Sequence, residues 1–238
     1  MIKEIFRPTG DNTTVYLNAL FLLMLLVIGA ADAFMIVITY FLETVIIGLI
    51  HVVKLFLTVK HGKPPKPDSK GFNGYGIIPF FIFHYGIFVG VQSAFVFGFF
   101  GIDTLSSQGV FDAYWEALLS PGMLMALASI LFTNLSYFFT NFWKPKKYKD
   151  YGPDEIFMKP YLRIIIQQFV VIIAAFFLVV LNAGLAAAIL LIVLRLAVDL
   201  IIIGIKSDST LLKKLAIKIA KDPEEILQIE KSLEQFTE

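Results

Sequence analysis

Residues 34–70 read FMIVITYFLETVIIGLIHVVKLFLTVKHGKPPKPDSK. Residues 34–59 of this stretch are predominantly apolar and long enough to cross the ~30 Å hydrocarbon core of a bilayer as one helix. Residues 60–70 then bring Lys and Pro in quick succession, which predicts an extended, solvated loop. An apolar run that ends in a basic loop is typical of a membrane-spanning helix whose loop lies in the cytoplasm.

The remaining basic residues follow the same rule. All 20 Lys and Arg residues fall before residue 8, between Lys54 and Lys70, between Lys144 and Arg163, or from Arg195 onward. The connections 101–120 and 181–184 contain none. We therefore predict an all-α, polytopic transmembrane helical bundle in the cytoplasmic (inner) membrane, with the N- and C-termini in the cytoplasm. The six predicted spans are residues 14–31, 34–59, 77–100, 121–143, 160–181 and 184–205.

The boundary between the first two predicted spans has a second interpretation. Asp32 is the only break there, and Ala31-Asp32-Ala33 has the form of a signal-peptidase site preceded by a basic N-terminus and an apolar stretch. Cleavage at this site would leave five spans and would not change the predicted orientation of the others.

The composition excludes several classes of protein. Hydrophobic residues make up 58% of the chain and the mean hydropathy is +0.78, far from the balance of a soluble domain. The absence of Cys excludes disulfides, thiolate metal sites and a Cys nucleophile, and three His residues are too few for a His-rich metal centre. The basic residues follow the predicted membrane boundary, so no nucleic-acid partner is predicted.

We divide the chain into a transmembrane six-helix domain over residues 1–206 and a cytoplasmic amphipathic, charged tail over residues 207–238. Residues 211–221 combine an apolar stripe with four lysines, which predicts a helix that lies on anionic lipid headgroups. Asp222-Pro223 then starts a second short amphipathic helix. The predicted partners are thus the lipid bilayer and anionic headgroups, and a homo-oligomer is left open.

Ionisable residues inside the predicted spans give the main clue to function. Glu43, His51 and Lys54 fall within about 80° of each other on one helix face, which we expect to point into the bundle. Arg195 and Asp199 are spaced i, i+4 and can pair. The candidate intramembrane polar cluster comprises Glu43, His51, Lys54, His84, Gln167, Arg195 and Asp199. Such a cluster is either a hydrated functional pocket or a hydrogen-bonded network that fixes helix packing.

Three stretches of the chain resemble a known but uncharacterised family. They are Tyr40–Gly48 together with Lys54-Leu55, Phe80–Gly86, and Arg195–Leu200. The family consists of prokaryotic polytopic membrane proteins known only as a domain of unknown function, and the similarity covers most of residues 15–205. The resemblance implies a membrane domain of about six helices.

The resemblance also implies that Glu43, Lys54, His84 and Asp199 occupy positions that are landmarks of the family. It leads us to expect Asn directly after the Glu, where this chain has Thr44. It implies no activity.

Three functions are compatible with the cluster. The first is small-solute or ion handling through a cytoplasm-facing pocket, with proton or cation exchange at Glu43, His84 and Asp199, of which His84 and Asp199 can form an imidazole–carboxylate pair. The second is an intramembrane enzyme that acts on lipid or peptide with the assistance of a metal, although no HExxH spacing supports a metal site. The third is a scaffold subunit. Catalytic residues, metal and cofactors stay unassigned.

Overall fold

The computed structural model describes residues 6–10, 12–64, 74–100, 115, 118–179 and 184–207, and isolated positions of the tail (213, 216, 217, 222, 225, 226 and 229). These residues form α-helices with short 3₁₀ and π segments between them. The helices are α1 (Thr13–Val27), α2 (Ala33–His61), α3 (Ile77–Phe100), α4 (Pro121–Phe138, continued by a π segment over Phe139–Trp143), α5 (Pro153–Phe157), α6 (Lys159–Val179) and α7 (Gly184–Ser207).

The helical class of the fold is confirmed, and among the described residues five helices are long and apolar enough to cross a membrane. Three of them are the helices α2, α3 and α7. The fourth is α4 together with its π segment, and the fifth is formed by α5 and α6 together. The first predicted span, over residues 14–31, is shorter than expected, because α1 has only 15 residues. At 1.5 Å per residue it is about 22 Å long, so a count of six spans is not confirmed.

The early end of α1 has a local cause. Gly29 adopts a positive φ of 72°, which terminates the helix, and the amide of Ala30 donates back to the Leu25 carbonyl at 2.9 Å. Asp32 then begins α2 as its N-cap, since its carboxylate accepts from the Met35 amide at 2.8 Å. The residue predicted as the break between two spans is therefore the start of the second helix.

The helix α2 lies at the centre of the bundle. It packs against α3, α4, α6 and α7, while α1 packs against α4 and α7. The Ser129 hydroxyl of α4 donates to the Asn18 side chain of α1 at 2.7 Å, and Leu22 and Leu25 of α1 are buried. The first helix is thus part of the bundle.

Apolar packing is concentrated at two levels along α2. One buried cluster includes Ile36, Val37 and Tyr40, near the start of the helix, and the other includes Leu55 and Leu57, near its end. The intervening part of α2, residues 43–51, carries the buried side chains of Glu43, Thr44 and His51. The fold therefore places a polar layer between two apolar ones.

The predicted amphipathic helices of the tail, over residues 211–221 and from Asp222 onward, lie outside the described residues except at isolated positions. The division into residues 1–206 and 207–238 stays a prediction.

Candidate functional site

Glu43 of α2 is the centre of a buried polar network. Its Oε1 accepts from Arg195 Nη2 at 2.8 Å and from Asn134 Nδ2 at 3.2 Å, and its Oε2 accepts from Gln167 Nε2 at 3.3 Å. The three donors belong to α7, α4 and α6, so one carboxylate connects four helices. Only 4% of Glu43 is exposed, and the ionised form of a carboxylate this buried depends on such donors.

Arg195 bridges two carboxylates. Besides its bond to Glu43, its Nε lies 3.3 Å from Oδ2 of Asp199, one turn further along α7. The predicted i, i+4 pair is present, but the shorter contact of Arg195 is the one across helices. Two carboxylates thus share one guanidinium.

A second set of contacts holds Gln167 in position. The Thr44 hydroxyl lies 3.3 Å from Gln167 Oε1, and the Tyr85 hydroxyl of α3 donates to the Thr44 carbonyl at 2.9 Å. Gly48 makes room for the Tyr85 ring, because a Cβ at Gly48 would lie 2.5 Å from Tyr85 Cε1. Thr44 therefore has a hydrogen-bonding role at the position where the family resemblance led us to expect Asn.

A cavity of about 140 Å³ lies beside the network. Glu43 and Asp199 line one part of it, and His51, Lys54 and Lys159 line another. A cavity of this volume with partly polar walls accommodates about five water molecules at ~30 Å³ each. The network thus has one side packed between helices and one side on a space large enough for a few waters, an ion or a small solute.

All the helix ends around this cavity belong to the same end of the bundle. The lining residues come from the start of α1 (Thr14), the end of α2 (Lys54), the end of α4 (Phe138), the start of α6 (Lys159) and the end of α7 (Ile203). This is the end at which the chain carries its lysines, and we refer to it as the basic end.

A smaller cavity of about 20 Å³ adjoins the first at the basic end. His51, Lys54, Tyr137 and Lys159 line both cavities, and Lys147 joins them around the smaller one. His51 is 4% exposed, and its Nε2 has no hydrogen-bond partner among the described residues.

His84 lies apart from this site. Its Nδ1 is 2.8 Å from the hydroxyl of Tyr161, and its ring stacks on Phe80 with 5.6 Å between centroids. Phe88 and Phe157 complete its surroundings. The imidazole–carboxylate pair suggested for His84 and Asp199 does not form in the structure, because His84 faces an aromatic cluster formed by α3, α5 and α6.

Of the predicted cluster, the structure brings Glu43, Gln167, Arg195 and Asp199 into one network, and it places His51 and Lys54 at the other end of the adjoining cavity. Asn134 and Lys159 were not among the predicted site residues. Asn134 interrupts the apolar run of α4 at the depth of Glu43, and this was the available sequence signal for it.

The network leaves little room for a metal ion between its carboxylates, because the Arg195 guanidinium bridges them. Within the described part of the chain no group of three or more His, Asp or Glu side chains is arranged to bind a metal. The chemistry that these side chains do offer is exchange of a proton or a monovalent cation at a carboxylate that faces the cavity.

Comparisons with known proteins give one match. A family model described as a family of unknown function (DUF6498) matches residues 1–223, which confirms the resemblance to an uncharacterised family. No curated protein and no solved structure matches the chain.

Proposed function

The chain belongs to DUF6498, a family of unknown function, and we propose that it is a multi-pass membrane protein that handles a small solute or ion with proton or cation exchange at Asp199 and Glu43. In this proposal the chain crosses the cytoplasmic membrane six times and its N- and C-termini are cytoplasmic. The cavity opens toward the cytoplasm.

The orientation rests on the distribution of charge. Lys60 lies in the last turn of α2, and Lys63 and Lys144 follow helix ends near the cavity, whereas the connections 101–120 and 181–184 contain no Lys or Arg. An excess of Lys and Arg in the short loops of one side favours the cytoplasm for that side. Since α1 begins at the basic end, beside the ends of α2 and α7, its crossing as a sixth helix gives the same orientation.

The observation that carries the proposal is a second carboxylate, that of Asp199, on the cavity wall beside the pair formed by Glu43 and Arg195. Arg195 lies 2.8 Å from Glu43 but 3.3 Å from Asp199, and the Asp199 side chain is 14% exposed against 6% for Glu43. Asp199 is therefore held less tightly and is more accessible from the cavity. A proton or cation that arrives at Asp199 neutralises this carboxylate and leaves Arg195 paired with Glu43.

This arrangement provides a two-state element. With Asp199 ionised, Arg195 is shared between α2 and its own helix; with Asp199 neutralised, the guanidinium is free to align fully with Glu43. A change in the charge of the cavity thereby alters the strength of the contact between α2 and α7. Coupling of solute binding to a helix movement requires a difference of this kind between the two states.

A scaffold function is the second candidate, and one observation favours it. Glu43 accepts hydrogen bonds from three other helices, which would by itself fix their packing. A scaffold has no need of the cavity or of a second carboxylate on its wall, so the two functions differ in what Asp199 does.

The test is proton movement in proteoliposomes that contain a pH-sensitive dye. In one arm a potassium gradient with valinomycin imposes a membrane potential, and in the other a pulse of Na⁺ or K⁺ is added outside. We expect the internal pH to change faster than in protein-free liposomes in at least one arm, and we expect Asp199→Asn to abolish the difference. Asp150→Asn, an exposed position with the same chemical change, serves as the control and should leave the rate unaltered.

Wild-type rates equal to those of protein-free liposomes in both arms would reject proton or cation exchange. Rates that Asp199→Asn leaves unchanged would reject the role of Asp199 and favour the scaffold.

A further inference from the structure

The smaller cavity at the basic end has the size of one water molecule. Its volume is about 20 Å³, and a space of roughly 10–15 Å³ is enough to hold a water. Tyr151 contributes a hydroxyl group to its wall and Asn141 contributes an amide. A buried water needs about two to four polar partners. Together with His51, these groups supply enough polar atoms for one water.

His51 brings a hydrogen-bond acceptor to the wall of this cavity. Its ring donates to the backbone carbonyl of Ile156. Nε2 has no hydrogen-bond partner among the described residues, so Nδ1 carries the proton of that bond and Nε2 of the neutral ring presents a lone pair. The residue is 4% exposed, and a buried polar atom without a partner is costly to keep. A ligand for Nε2 must therefore donate a hydrogen bond, as water does.

The smaller cavity leads into the larger one. His51 and Tyr137 are among the side chains that line both. Eight residues separate Glu43 from His51 along α2, which is about 12 Å at 1.5 Å per residue. About five waters fit in the larger cavity, and hydrogen-bonded waters lie about 2.8 Å apart, so a single file of them covers this distance.

We propose that the smaller cavity binds one water through His51 Nε2, and that protons pass between the cytoplasm and Asp199 by way of this water. The inference rests on the proposed function and names the route of its proton. In this route His51 is a positioning residue, because it holds the water and does not itself carry the proton.

The proton moves from oxygen to oxygen along the waters. A proton that reaches the bound water from the cytoplasm releases another to the next water of the larger cavity, and the last water delivers one to a carboxylate oxygen of Asp199. His51 cannot be a link in this series, since a proton taken up at Nε2 can leave only from Nε2 while the Nδ1 proton is held by the Ile156 carbonyl. By accepting one O–H of the bound water, Nε2 leaves the other O–H for the larger cavity.

Two variants of similar shape separate the roles of the two ring nitrogens. In His51→Gln the end of the side chain reaches the position of Nε2 and keeps an acceptor there. In His51→Asn the shorter amide stays at the position of Nδ1 and keeps a donor for Ile156. The assay is proton movement in the dye-loaded proteoliposomes described above.

We expect His51→Asn to slow Asp199-dependent proton movement by about fivefold or more, which is the effect of one lost hydrogen bond on the occupancy of the water. His51→Gln should restore most of the rate, because it retains the acceptor. The matched control is His61→Asn, the same change at an exposed histidine that lines neither cavity, which should leave the rate unaltered.

A second measurement needs no substitution. A density map of the wild-type chain in nanodiscs, at a resolution that shows ordered water, should contain a peak in the smaller cavity within hydrogen-bond distance of His51 Nε2. A map that shows ordered water elsewhere in the protein but none beside Nε2 would overturn the inference.

The variants give two further ways to overturn it. Wild-type rates in His51→Asn would show that no water held by Nε2 is needed. Equal loss in His51→Gln and His51→Asn would make the imidazole itself the proton carrier or a packing group. In both cases Asp199-dependent proton movement by the wild type leaves the proposed function standing, whereas wild-type rates equal to those of protein-free liposomes reject the proposed function and this route together.

Discussion

Removal of Arg195 tests the charge balance of the buried network. In Arg195→Met the carboxylates of Glu43 and Asp199 lose the guanidinium that now lies 2.8 Å and 3.3 Å from them. Removal of one partner from a buried ion pair costs about 3–5 kcal/mol, because the other charge remains without compensation. For a chain of this size that corresponds to a fall of roughly 6–20 °C in Tm.

Removal of the negative charge of Asp199 should have little effect on stability. Asp199→Asn weakens the 3.3 Å contact with Arg195 but leaves Glu43 and Arg195 as a neutral pair, so we expect a change in stability of less than about 1 kcal/mol. The double variant Glu43→Gln with Arg195→Met should be more stable than Arg195→Met alone, because it contains one buried carboxylate fewer.

The assay is thermal unfolding of the purified variants in one detergent, followed by circular dichroism at 222 nm. Equal Tm values for Arg195→Met and the wild type would refute the reasoning, since the network would then carry no buried charge. A loss of stability in Asp199→Asn as large as that in Arg195→Met would show that Arg195 depends on Asp199 as much as on Glu43, and would refute the weaker hold on Asp199.

Four further variants, of which Gly86→Ala is a control, test other contacts of the bundle by the same unfolding assay. Gly48→Ala should cost about 1–3 kcal/mol of stability because its Cβ would lie 2.5 Å from Tyr85. Gly86→Ala has nothing within 4 Å of its Cβ and should be neutral or stabilising. Equal effects of the two changes would contradict the close packing of α2 and α3. His84→Phe should lose about 1 kcal/mol with the Tyr161 hydrogen bond and leave proton movement in proteoliposomes unaltered, and a large loss of proton movement would return His84 to the site. Asn134→Ala should lose about 1.5–3 kcal/mol, since Asn134 donates to a carboxylate, and an unchanged Tm would show that Glu43 does not need this donor.

The helices were predictable because each needs only a long apolar run. Residues 34–59 and 184–205 match α2 and α7 closely, and the pairing of Arg195 with Asp199 followed from their i, i+4 spacing. These features depend on positions within one helix, so the sequence is sufficient for them.

Contacts between helices were harder to predict, because depth in the membrane does not fix the rotation of a helix about its axis. His84 was predicted to be able to pair with Asp199, yet it faces Tyr161. Gly86 and Gly90 have the spacing of a helix-packing motif, but a Cβ at either would meet nothing within 4 Å in the described residues; the glycine that admits a neighbouring side chain is Gly48. The cross-helix partner of Arg195, Glu43, was likewise outside the reach of helical periodicity.

The length of α1 depended on a local conformation. Residues 14–31 are apolar enough to continue as a helix, but Gly29 adopts a positive φ and Asp32 caps the next helix. A single Gly in an apolar run is common within membrane helices, so its role as a terminator was not evident from composition.

The most direct test of a hydrated cavity that opens at the basic end uses the absence of Cys from the chain. Ile47→Cys places a thiol on the cavity wall one turn from Glu43, and Leu49→Cys places one on the same helix at nearly the same depth, where the native side chain is 64% exposed on the outside of the bundle. Only a thiol in contact with water ionises and reacts with a membrane-impermeant cationic methanethiosulfonate. We expect Ile47→Cys to be modified from the cytoplasmic side alone and Leu49→Cys to stay unmodified. Failure of Ile47→Cys to react, or its modification from the opposite side, would contradict a hydrated cavity open at the basic end.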